Sequence, residues 1–412
     1  MNRKNEKAKQ QLLDQASAAL ASRLGVKSAE LGQRYVAGYF RRVPLAELAS
    51  QNVEVLAAML ASQLKFMARR QAGESLLRVY NPNHSRDGWE SKHTIVEMVN
   101  DDKPFLVDSA TLALAEMGLD IQLIVHPVMN VRRGKTGNLL AISSRDDPSA
   151  KAESVMQIQV SHQSSLDTLR KISKQLKATI LDVELAVRDW KAMITVAEKT
   201  GEMMPQWAPQ ADAEVMAESQ EFMRWLVDNH FILLGTRDYD VVKAGKQYEL
   251  QIVPGSGLGI LEEDASTVAA RPLSKLAEYA RTRSANTPLI ITKTNSRSTV
   301  HRLGYMDYIG VLRYDKRGNI IGERRILGLF TSSAYSLSVM ETPLVRGRVK
   351  QVVSQLSLNP GSHAWKTLMH ILETLPRDEL LQASADDLAE IAEGVLNLQE
   401  RRRVRLFIRR EQ

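Results

Sequence analysis

Residues 94–117 read TIVEMVNDDKPFLVDSATLALAEM, and this stretch decides the fold of the first half of the chain. Its opening part, 94–100, is rich in apolar residues and predicts a strand that ends at Asp101 and Asp102. Pro104 suits the first turn of a helix. The helix face is predicted from apolar residues at helical spacing: Leu106, Ala110, Leu114 and Met117. The stretch therefore predicts a strand joined to an amphipathic helix by a short acidic loop.

The sequence beyond this stretch continues the same alternation of strands and helices. Apolar and polar residues alternate in 119–125 and 156–160, and a turn precedes a third strand candidate at 139–143. A second helix is predicted from apolar residues three or four apart: Leu166, Leu169, Ile172, Leu176 and Ile180. The order strand, helix, strand, strand, helix is typical of a small ferredoxin-like sandwich with helices on one face of the sheet. We therefore predict a βαββα module.

The fold class predicted for the whole chain is α+β, in five segments. They are a helical N-terminal segment at 1–78, the βαββα module at 90–200, a second antiparallel β-rich domain at 213–336, a helical segment at 340–400 and the start of a further, truncated domain at 401–412. The last of these is an expectation from the alternation of arginine with apolar residues at 403–408, which predicts a strand without a partner.

Local signals divide the second half of the chain further. Proline and glycine between Thr200 and Asp212 predict a linker. A helical stretch is predicted near 273–282, and a hairpin is predicted where the turn Asp315–Gly318 joins two apolar runs. Ser384 followed three residues later by Asp387 predicts a capping box at a helix start.

Composition excludes several classes of protein. The 412 residues contain no cysteine, which excludes a disulfide scaffold and a thiolate metal site. No secretory signal and no membrane-spanning run are predicted, so we expect a cytoplasmic protein without a membrane partner. The net charge is +7, but the last twelve residues alone carry six arginines and one glutamate. Because the remaining chain is almost neutral, we expect no nucleic-acid partner.

The acidic loop before the helix is the strongest candidate for a binding site. A helix N-terminus offers free N–H groups that suit a carboxylate. The carboxylate of a small amino acid would dock there, and Asp102 or Asp108 would meet its ammonium group. The candidate effector site therefore consists of Asp102, Pro104, Phe105, Leu106, Asp108 and Ser109. The alternative is an ordinary capped helix start without a ligand.

Other motifs carry weaker signals. The run Gly255–Gly259 lacks the spacing of a dinucleotide-binding loop, so we predict a turn that needs positive φ. The eight histidines are scattered, and we predict no metal site and no catalytic residue. The basic strand and loop at Thr292–Arg302 is interpreted as a solvated face or an interface, with anion binding as the alternative.

Several segments together resemble the N-terminal region of the large bacterial NAD-specific glutamate dehydrogenases. The segments that carry the resemblance are Lys103–Ser109, Phe231–Gly235, Ser256–Leu261, Ile291–Arg302, Tyr305–Gly310, Leu327–Tyr335, Pro376–Leu380 and Arg402–Phe407. The resemblance implies ACT-like regulatory modules, with an ACT-like or PAS-like second domain. It also implies a downstream catalytic domain of the same chain that binds NAD, a homo-oligomer, and no cofactor in the 412 residues. Asp102–Leu106 matches the usual ACT loop except that Phe105 replaces glycine.

Three hypotheses follow from these patterns. The first is a non-catalytic regulatory and oligomer-building segment of an enzyme that oxidises glutamate to 2-oxoglutarate and ammonium. The second is an amino-acid sensor at the acidic loop, or a structural module that serves assembly only. The third, disfavoured by the near-neutral body, is an RNA-binding module that uses the arginines of the tail.

Overall fold

The computed structural model describes residues 3–25, 29–49, 52–144, 146–244, 247–262, 288–398 and 404–407. The chain forms two compact units. The first unit comprises Met1–Val183 together with the short segment Thr299–Arg302, and the second comprises Glu184–Ser298 and Leu303–Gln412. Each unit contains one antiparallel sheet and several helices, so the α+β prediction is confirmed.

The first unit begins with four helices. They are α1 (Arg3–Leu24), α2 (Ala29–Tyr39), α3 (Leu45–Ala49) and α4 (Val53–Met67). Their apolar faces meet in a core in which Leu20, Tyr35 and Leu60 are fully buried. The Tyr35 hydroxyl donates to Oε1 of Gln63 at 2.8 Å, which satisfies its polar atom inside this core. The helices therefore cover one face of the sheet that follows.

The sheet of the first unit has six strands. They are β1 (Leu76–Tyr80), β2 (Thr94–Asp101), β3 (Ile121–Val125), β4 (Val128–Arg133), β5 (Leu139–Ser143) and β6 (Lys151–Val160), with the helices α5 (His84–Asp87), α6 (Leu106–Glu116) and the first part of α7 (Leu166–Trp207). The order is β1-β2-β6-β4-β5, and β3 also pairs with β6. Because β2 is buried along almost its whole length, it forms the centre of the unit.

The edge strand β1 supplies a strand that the sequence prediction of the module did not include. A ferredoxin-like sheet has four strands, and the predicted βαββα module lacked a strand after its second helix. In the structure β1 pairs antiparallel with β2 from Leu76↔Val99 to Tyr80↔Ile95. The position beside the first strand of the module is thus occupied by a strand that precedes the module in sequence.

The helix α7 is longer than its sequence suggested. The predicted linker at 200–212 is wrong for its first eight residues, because α7 continues to Trp207 despite Pro205 within it. Met204 is fully buried, and Gly201 packs against Met223 of α8 (Ala213–Trp225). This packing outweighs the local preferences of glycine and proline.

The second unit contains the other six-stranded sheet. Its strands are β7 (Phe231–Ala244), β8 (Gln247–Ile252), β9 (Leu258–Gly259), β10 (Leu289–Arg297), β11 (Tyr305–Tyr314) and β12 (Ile320–Phe330). Their order is β10-β11-β12-β7-β8, and β9 also pairs with β7. The predicted hairpin is β11 with β12, whose turn is held by Asp315. One face of the sheet, which includes Ile309 and Ile326, packs in a common core with helices of this unit.

The glycine-rich run at 255–259 is a turn, as predicted. Gly255 and Gly259 have φ of +71° and +61°. A Cβ atom on Gly259 would overlap the carbonyl oxygen of Leu234, so both conformation and space require glycine there. The run therefore ends in the short strand β9, which pairs with β7.

The C-terminal helices pack against the second sheet. They are α9 (Ser332–Ser336), α10 (Val345–Gln355), α11 (His363–Thr374), α12 (Arg377–Gln382) and α13 (Ala385–Leu396). The predicted capping box at Ser384 and Asp387 is confirmed at the start of α13. Val345, Leu372 and Leu388 lie in the same core as Ile309 and Ile326 of the sheet.

The predicted strand of the tail is wrong at 404–407. Those residues have no regular secondary structure, and the side chain of Val404 is 98% exposed. Alternation alone does not make a strand, because a strand needs a neighbour for its backbone groups. The rest of 401–412 and the predicted helix at 273–282 lie outside the described residues.

Candidate functional site

The predicted effector loop joins β2 to α6 in the first unit. Asp102, Pro104 and Asp108 are exposed, whereas Leu106 and Ser109 are buried. The backbone N–H of Asp102 donates to the carbonyl oxygen of Ala152 at 3.1 Å, which fixes the loop to the start of β6. The loop therefore places an exposed acidic surface directly before the helix N-terminus.

Phe105 adopts an unusual backbone conformation. It is the residue before α6, and its φ of +70° lies in the left-handed region. Glycine reaches this region without strain, and phenylalanine reaches it at a cost of about 1–2 kcal/mol. The position at which the ACT loop usually has glycine therefore keeps a glycine-like conformation here, although it carries a bulky side chain.

The segment Thr299–Arg302 of the first unit contacts this loop through His301. The backbone N–H of His301 donates to Oγ of Ser109 at 3.0 Å. Its ring centroid lies 5.0 Å from that of Phe105, and its Nδ1 atom lies 3.6 Å from Oδ2 of Asp108. His301 thus brings together three of the six predicted site residues.

The same segment also contacts α7 through Thr299. Its hydroxyl donates to Oδ2 of Asp182 at 2.8 Å. Burial raises the pKa of the Asp182 carboxyl to about 6, and the hydrogen bond from Thr299 opposes that shift. Within the described part of the chain, the other carboxyl oxygen of Asp182 has no hydrogen-bond partner. Asp182 is therefore a buried acid held near the candidate site.

Asp102 is not gathered around His301. It acts electrostatically on His126 instead. Burial lowers the pKa of the His126 imidazole, Asp102 opposes that shift, and Arg42 adds to it. The two acidic residues of the predicted site consequently differ in their surroundings.

An ion-pair cluster of Arg70, Asp101, Arg133 and Glu153 lies at the β2 end of the loop. Arg70 donates to Asp101 at 2.6 Å and to Glu153 at 3.0 Å, and Arg133 donates to Glu153 at 2.6 Å. Both Arg70 and Glu153 are only 2% exposed. Because Asp101 directly precedes the loop, this cluster anchors one end of the candidate site.

Sequence reasoning did not place Thr299, His301 or Asp182 at this site. His301 is one of the scattered histidines for which the sequence predicts no metal or catalytic role, and 192 residues separate it from Ser109. The available signal is the basic, hydroxyl-rich character of Thr292–Arg302, which predicts a solvated face or an interface, with anion binding as the alternative. Lys293 of that stretch, in the second unit, pairs with Asp307 at 2.6 Å and Asp378 at 3.1 Å.

Two further searches concern the described residues only. Among them no group of three or more histidine and carboxylate side chains has a geometry that would hold a metal ion. None of the helices they form combines the length and the apolar character that a membrane span requires.

Comparison with known proteins shows which proteins the chain resembles. A family model described as the ACT1 domain of glutamate dehydrogenase matches residues 35–176, and one described as helical motif 1 of glutamate dehydrogenase matches residues 342–401. The NAD-specific glutamate dehydrogenase of Halomonas elongata is 33% identical over 423 residues, which cover 98% of this chain and 25% of that protein.

Two further relatives have the same printed description. The NAD-specific glutamate dehydrogenase of Pseudomonas aeruginosa is 30% identical over 96% of this chain and 25% of its own length. That of Mycobacterium tuberculosis is 28% identical over 85% of this chain and 20% of its own length. The chain therefore spans about a quarter or less of the length of the curated relatives it matches.

The sheet of the first unit and its βα loop lie within the residues that match the ACT1 domain model, so this part of the chain has an ACT-like fold. The chain resembles the ACT-domain region of the NAD-specific glutamate dehydrogenases over almost its whole length.

Proposed function

We propose that this chain is the regulatory and oligomer-building N-terminal segment of a cytoplasmic NAD-dependent glutamate dehydrogenase. The whole enzyme would convert L-glutamate to 2-oxoglutarate and ammonium, with NAD bound by a catalytic domain further along the same chain. The support is that the relatives' similarity extends over almost all of this chain but only a quarter of their own length. In this proposal the 412 residues hold no reaction centre and bind no cofactor.

The effector site of this proposal is the loop formed by Asp102, Pro104, Phe105, Leu106, Asp108 and Ser109. The observation that carries it is the left-handed conformation of Phe105, at the position where the ACT loop usually has glycine. The first N–H groups of α6 would receive the carboxylate of an amino acid. The exposed carboxylate of Asp108 would receive its ammonium group.

Binding at this loop would have a route to the rest of the first unit. An ammonium group on Asp108 would compete with Nδ1 of His301, which lies 3.6 Å from the same carboxylate. His301 belongs to the segment that also contacts Asp182 through Thr299. An effector would regulate the enzyme only if it bound one arrangement of this segment more tightly than another.

The test is calorimetry of the chain against a panel of amino acids, with Asp108→Asn and Asp167→Asn as paired variants. Both aspartates are exposed and stand in the first turn of a helix, α6 and α7 respectively. We expect Asp108→Asn to weaken binding at least about tenfold, since a charge-assisted contact is lost. Asp167→Asn should leave binding unchanged. No heat with any amino acid, together with an unchanged melting temperature, would rule out the effector site.

The placement as a non-catalytic segment has its own test. The chain should form no NADH from glutamate and NAD, whereas the full-length enzyme should do so. Turnover by the 412 residues alone would contradict the placement. Light scattering on the chain tests the homo-oligomer, since a monomer at all concentrations would remove the oligomer-building role.

A second candidate function is a structural module without a ligand, whether in the enzyme or as a stand-alone protein. It is favoured by one specific observation, namely that Ser109 already accepts a hydrogen bond from the His301 backbone. The phenylalanine ring at position 105 also occupies space that glycine would leave free. In this case His301→Ala should lower the stability of the first unit, because the ring contact with Phe105 is lost. Neither the variant nor the unchanged chain should bind an amino acid.

A further inference from the structure

A pair of buried arginines lies in the second unit, far from the effector loop in sequence. Arg237 of β7 and Arg325 of β12 are directly opposite each other in the antiparallel ladder. Opposite residues of such a pair project from the same face of the sheet. They are 2% and 1% exposed. The sheet therefore buries two like charges side by side.

Arg325 has partners for two of its three nitrogens. Nε donates to Oε1 of Glu323 at 3.0 Å, and Nη1 donates to the hydroxyl of Tyr239 at 3.1 Å. Its guanidinium carbon also lies 4.1 Å from the ring centroid of Tyr239 and 5.2 Å from that of Tyr308. In the described structure Nη2 of Arg325 has no hydrogen-bond partner.

Arg237 is the more exceptional of the two. Among the residues that the structure describes, nothing accepts a hydrogen bond from its Nε or its Nη2, although both atoms are buried. These two nitrogens form one edge of the guanidinium group, and their two parallel N–H bonds match the two oxygens of a carboxylate. Buried charged donors without partners are costly, so such an edge calls for an anion.

The charges around the pair point to a singly charged anion. The pair supplies two guanidinium groups, and one carboxylate, that of Glu323, pairs with Arg325 and is 1% exposed. Burial, together with the charge of Glu323, raises the pKa of Tyr308 well above its ordinary value, so its phenol stays neutral. One positive charge is thus left over in this set. A doubly charged phosphate would exceed it and would face the carboxylate of Glu323.

Two buried leucines share the face of the sheet from which the pair projects. Leu327 follows Arg325 by two residues on the same strand, and Leu312 is opposite Glu323 on β11, so both share the face of the arginines. Both leucines are 2% exposed. We propose that Arg237 and Arg325 form a binding site for the carboxylate group of a small organic acid.

This site is independent of the proposed effector loop, because all of its residues belong to the second unit. Asp108→Asn should therefore leave carboxylate binding here unchanged. Loss of binding in Arg237→Met with full binding in Asp108→Asn separates the two sites. If no ligand binds at one site, the proposal for the other site is unaffected.

The experiment titrates the whole chain with three monoanions, butyrate, lactate and L-glutamate, and in a separate arm with inorganic phosphate. Calorimetry and the melting temperature are both recorded. We expect at least one carboxylate to bind, to raise the melting temperature, and to bind at least about tenfold more weakly to Arg237→Met. Arg237→Lys should also lose binding, since lysine keeps the charge but lacks the two-pronged edge.

A second measurement keeps the test decisive if a variant is unstable. Without ligand, Arg237→Met should not lower the melting temperature, because it removes a buried charge whose edge is unpaired. Arg324→Met is the matched control, since Arg324 on the opposite face makes two bonds of 2.6 Å to Asp238 and should lower it. A marked fall in Arg237→Met, no binding of any carboxylate, or phosphate binding more tightly than all three carboxylates would overturn the proposal.

Discussion

Replacing Asp182 by asparagine tests how the first unit buries an acid. Asp182 is 1% exposed, and the hydrogen bond from Thr299 is the favourable contact that stabilises its ionised form. Burial raises the pKa of its carboxyl from 3.8 to about 6. Ionising this carboxyl in the folded protein therefore costs free energy of folding.

The sign of the pH dependence follows from this shift. Because the pKa is higher in the folded than in the unfolded state, the unfolded state loses its proton first as pH rises. The stability linked to the protonated form is complete below about pH 4 and is lost as pH rises through about pH 6. At 1.36 kcal/mol per pKa unit, the loss is on the order of 3 kcal/mol.

Asp182→Asn keeps an acceptor for Thr299 and removes the charge. Its amide group adds a cost of about 1–3 kcal/mol if the new donors stay unpaired, but this cost does not vary with pH. We therefore expect the difference in unfolding free energy between variant and wild type to shift in favour of the variant by about 3 kcal/mol between pH 4 and pH 8.

The assay is urea denaturation at a series of pH values, followed by pulsed hydrogen exchange at one common labelling pH. Peptides from β2 and β6 report on the first unit, since both strands lie at its centre. Asp167→Asn is the control, because Asp167 is 79% exposed and its charge should contribute about 0.5 kcal/mol or less to stability. A flat difference for Asp182→Asn across the same range would refute the reasoning.

Three further substitutions are expected to lower stability, and urea denaturation measures each. Glu153→Gln should cost about 3–5 kcal/mol, since it leaves two arginines of the buried ion-pair cluster without their shared carboxylate, whereas the exposed Asp167→Asn should cost about 0.5 kcal/mol or less. Gly137→Ala should cost about 2 kcal/mol or more because its φ is +82° and its Cβ would lie 2.5 Å from a backbone oxygen; Gly73→Ala, with open space around it, should cost about 1 kcal/mol. Ser384→Ala should destabilise the C-terminal helices by about 1 kcal/mol through loss of the capping box, and an unchanged midpoint would contradict that role.

Local patterns in the sequence were sufficient to predict the elements around the acidic loop. The strand predicted at 94–100 is observed as Thr94–Asp101, and the helix after Pro104 begins at Leu106. The capping box and the hairpin turn at Asp315 could also be predicted from the sequence. These features depend on residues a few positions apart, so side-chain period and turn chemistry determine them.

Contacts between distant parts of the chain required the tertiary structure. Nothing in the local pattern shows that β1 takes the edge beside β2, or that His301 contacts Ser109 across 192 residues. The left-handed backbone of Phe105 is likewise imposed on a residue that does not favour it. Such features depend on which surfaces pack together, a property of the whole fold.

The sequence by itself determined the α+β class, the position of the acidic loop and the resemblance to glutamate dehydrogenases. Only the tertiary structure placed Arg237 opposite Arg325, because strand register decides which residues of two strands meet. It also carried α7 through Gly201 and Pro205, since burial against α8 outweighs their local preference. Short-range preferences fix the elements, whereas long-range packing and pairing decide which side chains come together.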